Sequence, residues 1–488
     1  MRSAMLRRVD REILLRSGYL KSVVKGWYLL VRPDVNTGES TAWYASFWDF
    51  LATYLEERFG DDYCLNAVAS LESQIGTTTV PRQVVALTAH GGKTLVKLPY
   101  DTSVLVYEDA KGLPAEVISV EGLRVMPLAY ALCRLPPAYF HSNPVNVELA
   151  LRTLSDVGAL IRVVLEAHSP TLAGRFAGAY AFLGDDAKAR AVESASSAAG
   201  MAFKRENPFE QTKPFLAAEL RMVSPYAGRI QAMFRSMRDP VQSVFEDVNP
   251  IAVLDAERCL KGIDEVYVHD AYNSLSIEGY RVSPDLIERI RGGRWNPSAD
   301  PQDRQMMDAM AAKGYFEAFT LVKESVRSVV SGSDAAKTVR EHYPDWYRAL
   351  FSQAVSSGLL DAHRLAGFRN GPVFIRNSKH VPPRHSAIPD SMDALFHCLL
   401  EEQHPAVRAV LGHFLFGFIH PYVDGNGRLA RFVMNVFLTS AGYPWAIVRT
   451  GRRNAYLTAL ETASTNGDIV PFARFILEEM QVDWHKEV

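Results

Sequence analysis

His420-Pro421-Tyr422-Val423-Asp424-Gly425-Asn426-Gly427-Arg428-Leu429-Ala430-Arg431 is the stretch on which the reading of this 488-residue chain turns. Ahead of it, residues 406–419 are apolar around most of a helical circumference, the pattern of a helix buried in a bundle core. That helix is expected to stop at His420, because a proline disfavours helix at the residue before it. Behind it, residues 429–438 resume a helical apolar pattern. The Gly425-Asn426-Gly427 turn is therefore expected at a helix N-terminus, where unpaired N–H groups and the macrodipole favour an anion. Glycines flanking Asn426 let phosphate oxygens approach the backbone.

The side chains extend that chemistry. Arg428 and Arg431 are three apart and share a helical face, where two guanidiniums can clamp a polyphosphate. Asp424 is a hard oxygen ligand suited to Mg²⁺ bridging phosphate oxygens. His420 titrates near neutrality and can accept a proton from an attacking hydroxyl.

In this order the residues resemble the signature of the Fic family, His-x-Phe-x-Asp/Glu-Gly-Asn-Gly-Arg-x-x-Arg, with Tyr422 where phenylalanine is usual. The resemblance covers roughly residues 215 to 485. It implies a mostly α-helical bundle with a β-hairpin flap, and transfer of AMP from Mg-ATP to a Ser, Thr or Tyr hydroxyl of a target protein or of the chain itself. His420 would be the base, Asp424 the Mg²⁺ ligand, and Gly425, Asn426, Gly427, Arg428 and Arg431 the nucleotide-binding set.

Three further segments match the same family. Asn273-Ser274-Leu275-Ser276-Ile277-Glu278-Gly279 resembles an inhibitory motif, Ser/Thr-x-x-x-Glu-Gly/Asn, and places an inhibitory helix near 265–279. Ser274 and Glu278 share a helix face, and the family's glutamate pairs with the second signature arginine, here Arg431. Residues 368–383 resemble the flap: Val373, Phe374 and Ile375 favour extended backbone, Asn377-Ser378 suits a hairpin tip, and Ser378 and His380 would help dock a target by strand addition. Residues 452–461 resemble the helix after the signature, making Tyr456 the expected wall of the adenine pocket.

Composition sets the frame. A hydrophobic content of 48% and a charged content of 22% are those of a globular protein, and the length suggests two to three domains. No run of eighteen uncharged apolar residues is present, so no membrane span is expected. Arg7, Arg8, Asp10, Arg11 and Glu12 occupy the place of a signal peptide's apolar core. Cys64, Cys133, Cys259 and Cys398 show no metal or disulfide spacing. A cytoplasmic protein with reduced thiols is the simplest expectation.

The N-terminal part, residues 1–210, reads as an α/β regulatory or recognition module, and 215–488 as the Fic portion. Residues 1–32 carry eight basic side chains against Asp10 and Glu12. A short helix, a turn at Ser17-Gly18 and the strand-like 26–31 suit a winged helix within residues 1–50, and resemble the start of AbiEi-type antitoxin regulators. DNA binding is thus an expectation for this module. Rival readings are a DNA-binding regulator whose Fic half only senses, removal of AMP with Glu278 aligning a water, or phosphotransfer as in the Doc branch. That branch has lysine at the position of Gly427, so the glycine argues against phosphotransfer. A loop is expected over 292–301, and amphipathic helices over 306–330 and 392–402.

Overall fold

The computed structural model describes residues 2–31, 40–216, 224–250, 255–294 and 307–484. Helices dominate, and two compact units emerge: 1–232 together with 374–381, and 233–373 together with 382–488. The cut between Ala232 and Met233 falls inside the helix Pro225–Val244.

In the first unit a four-stranded mixed sheet runs in the spatial order Cys64–Leu65, Gln83–Thr88, Thr102–Glu108, Thr94–Leu98. Strict alternation along Thr102–Glu108 turns Val104 and Val106 inward. Trp43, Phe47, Leu51 and Leu55 of the helix Thr41–Phe59 share one core with Val84, Ala86, Val104 and Val106 of the sheet. Helices spanning 144–198 form a second core around Leu149, Phe176 and Tyr180. Buried Glu148 accepts from Arg152 and from the amides of Phe215 and Leu216, so the end of this layer is tied down by one carboxylate.

Residues 2–31 hold the expected short helix, turn and strand. The helix Arg8–Arg16 leads straight into a hairpin, Leu20–Val24 paired with Trp27–Leu30. Gly18, at φ 77°, ends the helix, and the Val23-Val24 and Trp27-Tyr28 pairs favour strands around Gly26. Two of the arginines that raised the DNA reading pair with neighbouring acids, Arg7 with Asp10 and Arg8 with Glu12. Arg32 lies outside the described residues.

The expected β-hairpin at the flap is also corrected. Residues 373–381 form an extended segment with a turn at Arg376–Asn377, Asn377 taking φ 58°, and they make no ladder with one another. Prolines 372, 382 and 383 lack the N–H groups such a ladder needs. The backbone instead pairs with another segment of the same unit: Val80 N–H donates to Lys379 O at 2.9 Å, and Val381 N–H to Thr78 O at 2.8 Å. His380 and Ser378 are buried there, with His380 Nδ1 2.9 Å from the Thr78 hydroxyl. Phe374 stays exposed, and Val373 and Ile375 are partly so.

The second unit is an all-helical bundle among its described residues. Its centre is the pair Pro405–Ile419 and Asn426–Thr439, buried almost all round, as the unbroken apolar run requires. Around them lie Ala256–Ile277, Met307–Val330, Ala335–Ser356, Ile388–Glu401, Arg453–Asn466 and Val470–Met480. The loop expected at 292–301 lies outside the described residues from Trp295 onward. No described helix is long and apolar enough to cross a membrane.

Candidate active site

The site is built on the junction between the two central helices. Pro405–Ile419 ends at His420, which adopts the left-handed region at φ 53°. That conformation is uncommon for a residue with a β-carbon and is held from outside the turn. Arg369, buried and with no expected role in the sequence, donates from Nε to His420 O at 2.8 Å and from Nη1 to Gly371 O at 2.8 Å. Its Nη2 reaches Pro383 O, and its own amide donates to Pro421 O. One guanidinium thus fixes the backbone that aims the imidazole. Tyr422 is buried, its ring stacked on Tyr347 at 3.7 Å between centroids.

The imidazole has a defined proton arrangement. His420 Nδ1 lies 3.2 Å from Gly417 O, and a carbonyl only accepts, so this bond requires the proton on Nδ1. Nε2 is left with its lone pair. Burial is the main cause that pushes His420 down to about 4; the Gly417 bond opposes it and the Arg369 charge adds to it. A base lowered in this way loses its lone pair only as pH falls through about 4, so it is unprotonated at neutral pH. The acid limb of the pH–rate profile is accordingly expected near 4, and activity should stay level from pH 8 down to about 5.5. A limb near the ordinary histidine value of 6.5 would contradict this environment.

The turn that follows is rigid. Asn426 accepts from Tyr422 N–H at 2.9 Å and donates to Tyr422 O at 2.8 Å, so its amide closes the loop like a peptide group. Gly425 takes φ 82° as N-cap, and a β-carbon there would meet Phe351 at 2.9 Å. Exposed Asp424 accepts from Gly425 N–H and faces Arg428 Nη2 at 3.4 Å.

Arg428 faces Asp424 but keeps buried donors without a hydrogen bond. It is 1% exposed, lies near the rings of Tyr280 and Phe351, and its Nε and Nη2 have no hydrogen-bond partner among the described residues. Buried donors without partners are costly, and an anion at the helix N-terminus would satisfy them.

Arg431 is fully engaged instead. It donates from Nε to Ser274 Oγ at 2.9 Å and from Nη2 to Glu278 Oε1 at 2.8 Å and Ser274 O at 3.1 Å. Burial alone would raise the Glu278 carboxyl, but Arg431 and then Arg428 overcome it and hold it below the usual range. Glu278 stands just past the helix Ala256–Ile277. There Gly279 N–H returns to Ser276 O and Tyr280 N–H to Leu275 O, the Schellman closure that fixes where the carboxylate emerges. A β-carbon on Gly427 would lie 2.4 Å from Glu278 Oε1. The carboxylate therefore lies directly over the first turn of Asn426–Thr439, where a phosphate would seat.

Tyr456 is buried beside the site. Only 3% of it is exposed, its hydroxyl bonds His413 Nε2 at 2.9 Å, and its ring packs among His413, Phe472 and Phe475. The Arg453–Asn466 helix turns it inward, within reach of Arg431. The partners that orient the turn, Arg369, Tyr347 and Phe351, carry no signal in the sequence because they lie about 51 to 77 residues upstream of His420 and Asp424 with no motif linking them.

Whether Mg²⁺ fits can be asked of the donors. Among the described residues no three His, Cys, Asp or Glu side chains converge on a metal position. A single exposed carboxylate, Asp424, beside a phosphate-seating turn fits an ion held mainly by phosphates and water.

Residues 340–438 match the Fic/DOC family, so the chain carries a Fic domain. Relatives named protein adenylyltransferase Fic include one from Nematostella vectensis, 41% identical over 113 residues, covering 22% of this chain and 26% of the relative. One from Aedes aegypti is 30% identical over 234 residues, 46% of this chain and 43% of the relative. The chain thus spans about a quarter to under half the length of these relatives. Among solved structures, residues 134–508 of Fic-1 from C. elegans align at 16% identity and a TM-score of 0.38, covering 72% of this chain and 88% of that one.

Proposed function

We propose that the chain is a protein adenylyltransferase that moves AMP from ATP to a hydroxyl of a protein target, itself included, and that Glu278 restrains it. The observation that carries this reading is that His420, its Nδ1 held by Gly417, and buried Arg428, with donors that make no hydrogen bond, flank one glycine turn.

The target oxygen attacks the α-phosphorus of ATP. The new O–P bond forms as the bond to the bridging oxygen breaks, and pyrophosphate leaves. His420 Nε2 takes the hydroxyl proton, while the Nδ1–H bond to Gly417 steadies the imidazolium. Amides of the Gly425–Gly427 turn and the free donors of Arg428 stabilise the phosphate charge. Asp424 would hold Mg²⁺, whose charge neutralises phosphate oxygens when it is bound. Arg431 would receive the γ-phosphate once Glu278 moves aside.

The charge requirement supports this reading over phosphotransfer. Gly427 carries no lysine to turn the terminal phosphates around, and the Glu278 carboxylate occupies the space such a side chain would need. Removal of AMP is a second reading, favoured by the position of the Glu278 carboxylate beside the phosphate turn, where it can align a water. The decisive assay is self-modification followed by intact mass, with wild type and Glu278→Gly compared. A gain in AMP on the variant supports transfer. Faster loss of AMP from a pre-modified substrate by wild type than by the variant supports removal.

Arg369 supplies a separate check. Arg369→Lys keeps the charge but cannot span three carbonyls, and each lost charge-assisted bond is worth about 1.5–3 kcal/mol. The turnover rate is expected to fall at least about tenfold, with KM for ATP nearly unchanged because the phosphate contacts remain. An unaltered rate would show that His420 needs no such support.

A further inference from the structure

The last turn of the helix Ala256–Ile277 sets where Glu278 emerges, and its carbonyls can be accounted for one by one. Ser274 O accepts from Arg431 Nη2 at 3.1 Å. Leu275 O and Ser276 O receive the amides of Tyr280 and Gly279. Ile277 O is left over, because the amide four residues on, that of Arg281, goes to Asp308 Oδ1 at 3.1 Å. Arg453 fills the gap: its Nε donates to Ile277 O at 2.9 Å. Two arginines therefore grip the end of this helix, Arg431 from Asn426–Thr439 and Arg453 from the first position of Arg453–Asn466.

Charge makes the grip necessary. A helix C-terminus carries partial negative charge, and Glu278 adds a carboxylate there, so cations at this end are favourable. Phosphates seated on the glycine turn would compete with Glu278 for Arg431. Arg453 is bound to the helix backbone instead.

One turn back, Asn273 ties the same helix to the loop that leads into Arg453. Its Oδ1 accepts from Thr450 N–H at 2.8 Å and from the Thr450 hydroxyl at 3.1 Å, while its Nδ2 donates to His269 O at 2.9 Å. That loop is anchored from behind. Arg449 Nε and Arg452 Nη1 bond the fully buried carboxylate of Glu479, in the helix Val470–Met480, at 3.0 and 2.7 Å. A buried carboxylate paired in this way is costly to uncouple, so the loop is a firm support for the helix end.

We propose that Arg453 and the Asn273–Thr450 bonds form a second catch: they hold the last turn of Ala256–Ile277 folded and so keep the Glu278 carboxylate over the Gly427 backbone. Arg453 acts through Glu278 and is a positioning residue. The effect on nucleotide rests on the reading that Glu278 restrains the site; the hold on the helix end does not.

Arg453→Met keeps the aliphatic stem and removes the donor, whereas Arg453→Lys keeps a donor and the charge. In the full-length chain, hydrogen exchange of the peptide carrying the Glu278, Gly279 and Tyr280 amides should be about fivefold faster or more in Arg453→Met and near wild type in Arg453→Lys. Mg-ATP affinity, measured by calorimetry, should rise about three- to tenfold in Arg453→Met. In the Glu278→Gly background the same substitution should leave affinity unchanged, since no carboxylate remains to be held. Asn273→Ala cuts the other tie, should give the same pattern, and carries the test if Arg453→Met does not fold. Exchange as slow as in wild type would overturn the catch. Equal changes of affinity in both backgrounds would mean that Arg453 acts on the nucleotide directly, and would overturn it equally. Faster exchange with unaltered or weaker ATP binding would overturn the link from the catch to Glu278. None of these readouts requires transfer activity, so a failure of the adenylyltransferase reading would be seen separately.

Discussion

Changing His420 to alanine is expected to lower AMP transfer about 10²- to 10⁴-fold, the range a positioned general base supplies. The loss should fall on turnover and leave ATP affinity nearly intact, because the proposed role of the imidazole is on the attacking hydroxyl and not on the phosphates. Its Nδ1 is committed to Gly417 O and its Nε2 is free, so the base is prepared before any substrate arrives. The comparison is best made in the Glu278→Gly background, where the starting rate is highest. An unchanged rate would mean that proton removal is done elsewhere or is not needed.

The second large effect is expected at Glu278 itself. Glu278→Gly removes the carboxylate that lies 2.8 Å from Arg431 Nη2 and over the Gly427 backbone. A hydrogen bond between charged groups contributes about 1.5–3 kcal/mol net, so self-modification should rise about ten- to a hundredfold. Lys or Arg at 278 would not mimic the gain, since either refills the space. Mass spectrometry of the chain after incubation with Mg-ATP gives the answer. Equal or lower AMP incorporation would remove the restraining role and favour the AMP-removing one.

The candidate site's turn was legible in the sequence because its residues are consecutive. Twelve positions carry His420, Asp424, the glycine turn and both arginines, and the flanking apolar runs place them between two helices. The Ser274–Glu278 motif was legible for the same reason, since four-residue spacing on a helix puts both on one face toward Arg431. What failed was non-local. Whether 373–381 pairs with itself or with Thr78–Val80 depends on where a distant segment lies, and strand pairing carries no fixed spacing in the sequence. Arg369 gave no motif at all: a lone arginine in a loop announces nothing until the carbonyls around it are known.

The central claim is that phosphorus chemistry here occurs at the α-phosphate, with His420 as base. It is tested most directly by incubating the Glu278→Gly chain with ATP labelled at either the α- or the γ-phosphate and counting label retained on protein. The account predicts retention from the α-label, none from the γ-label, and loss of the α-signal in the Glu278→Gly/His420→Ala double variant. Retention of the γ-label, or α-label that survives replacement of His420, would contradict it.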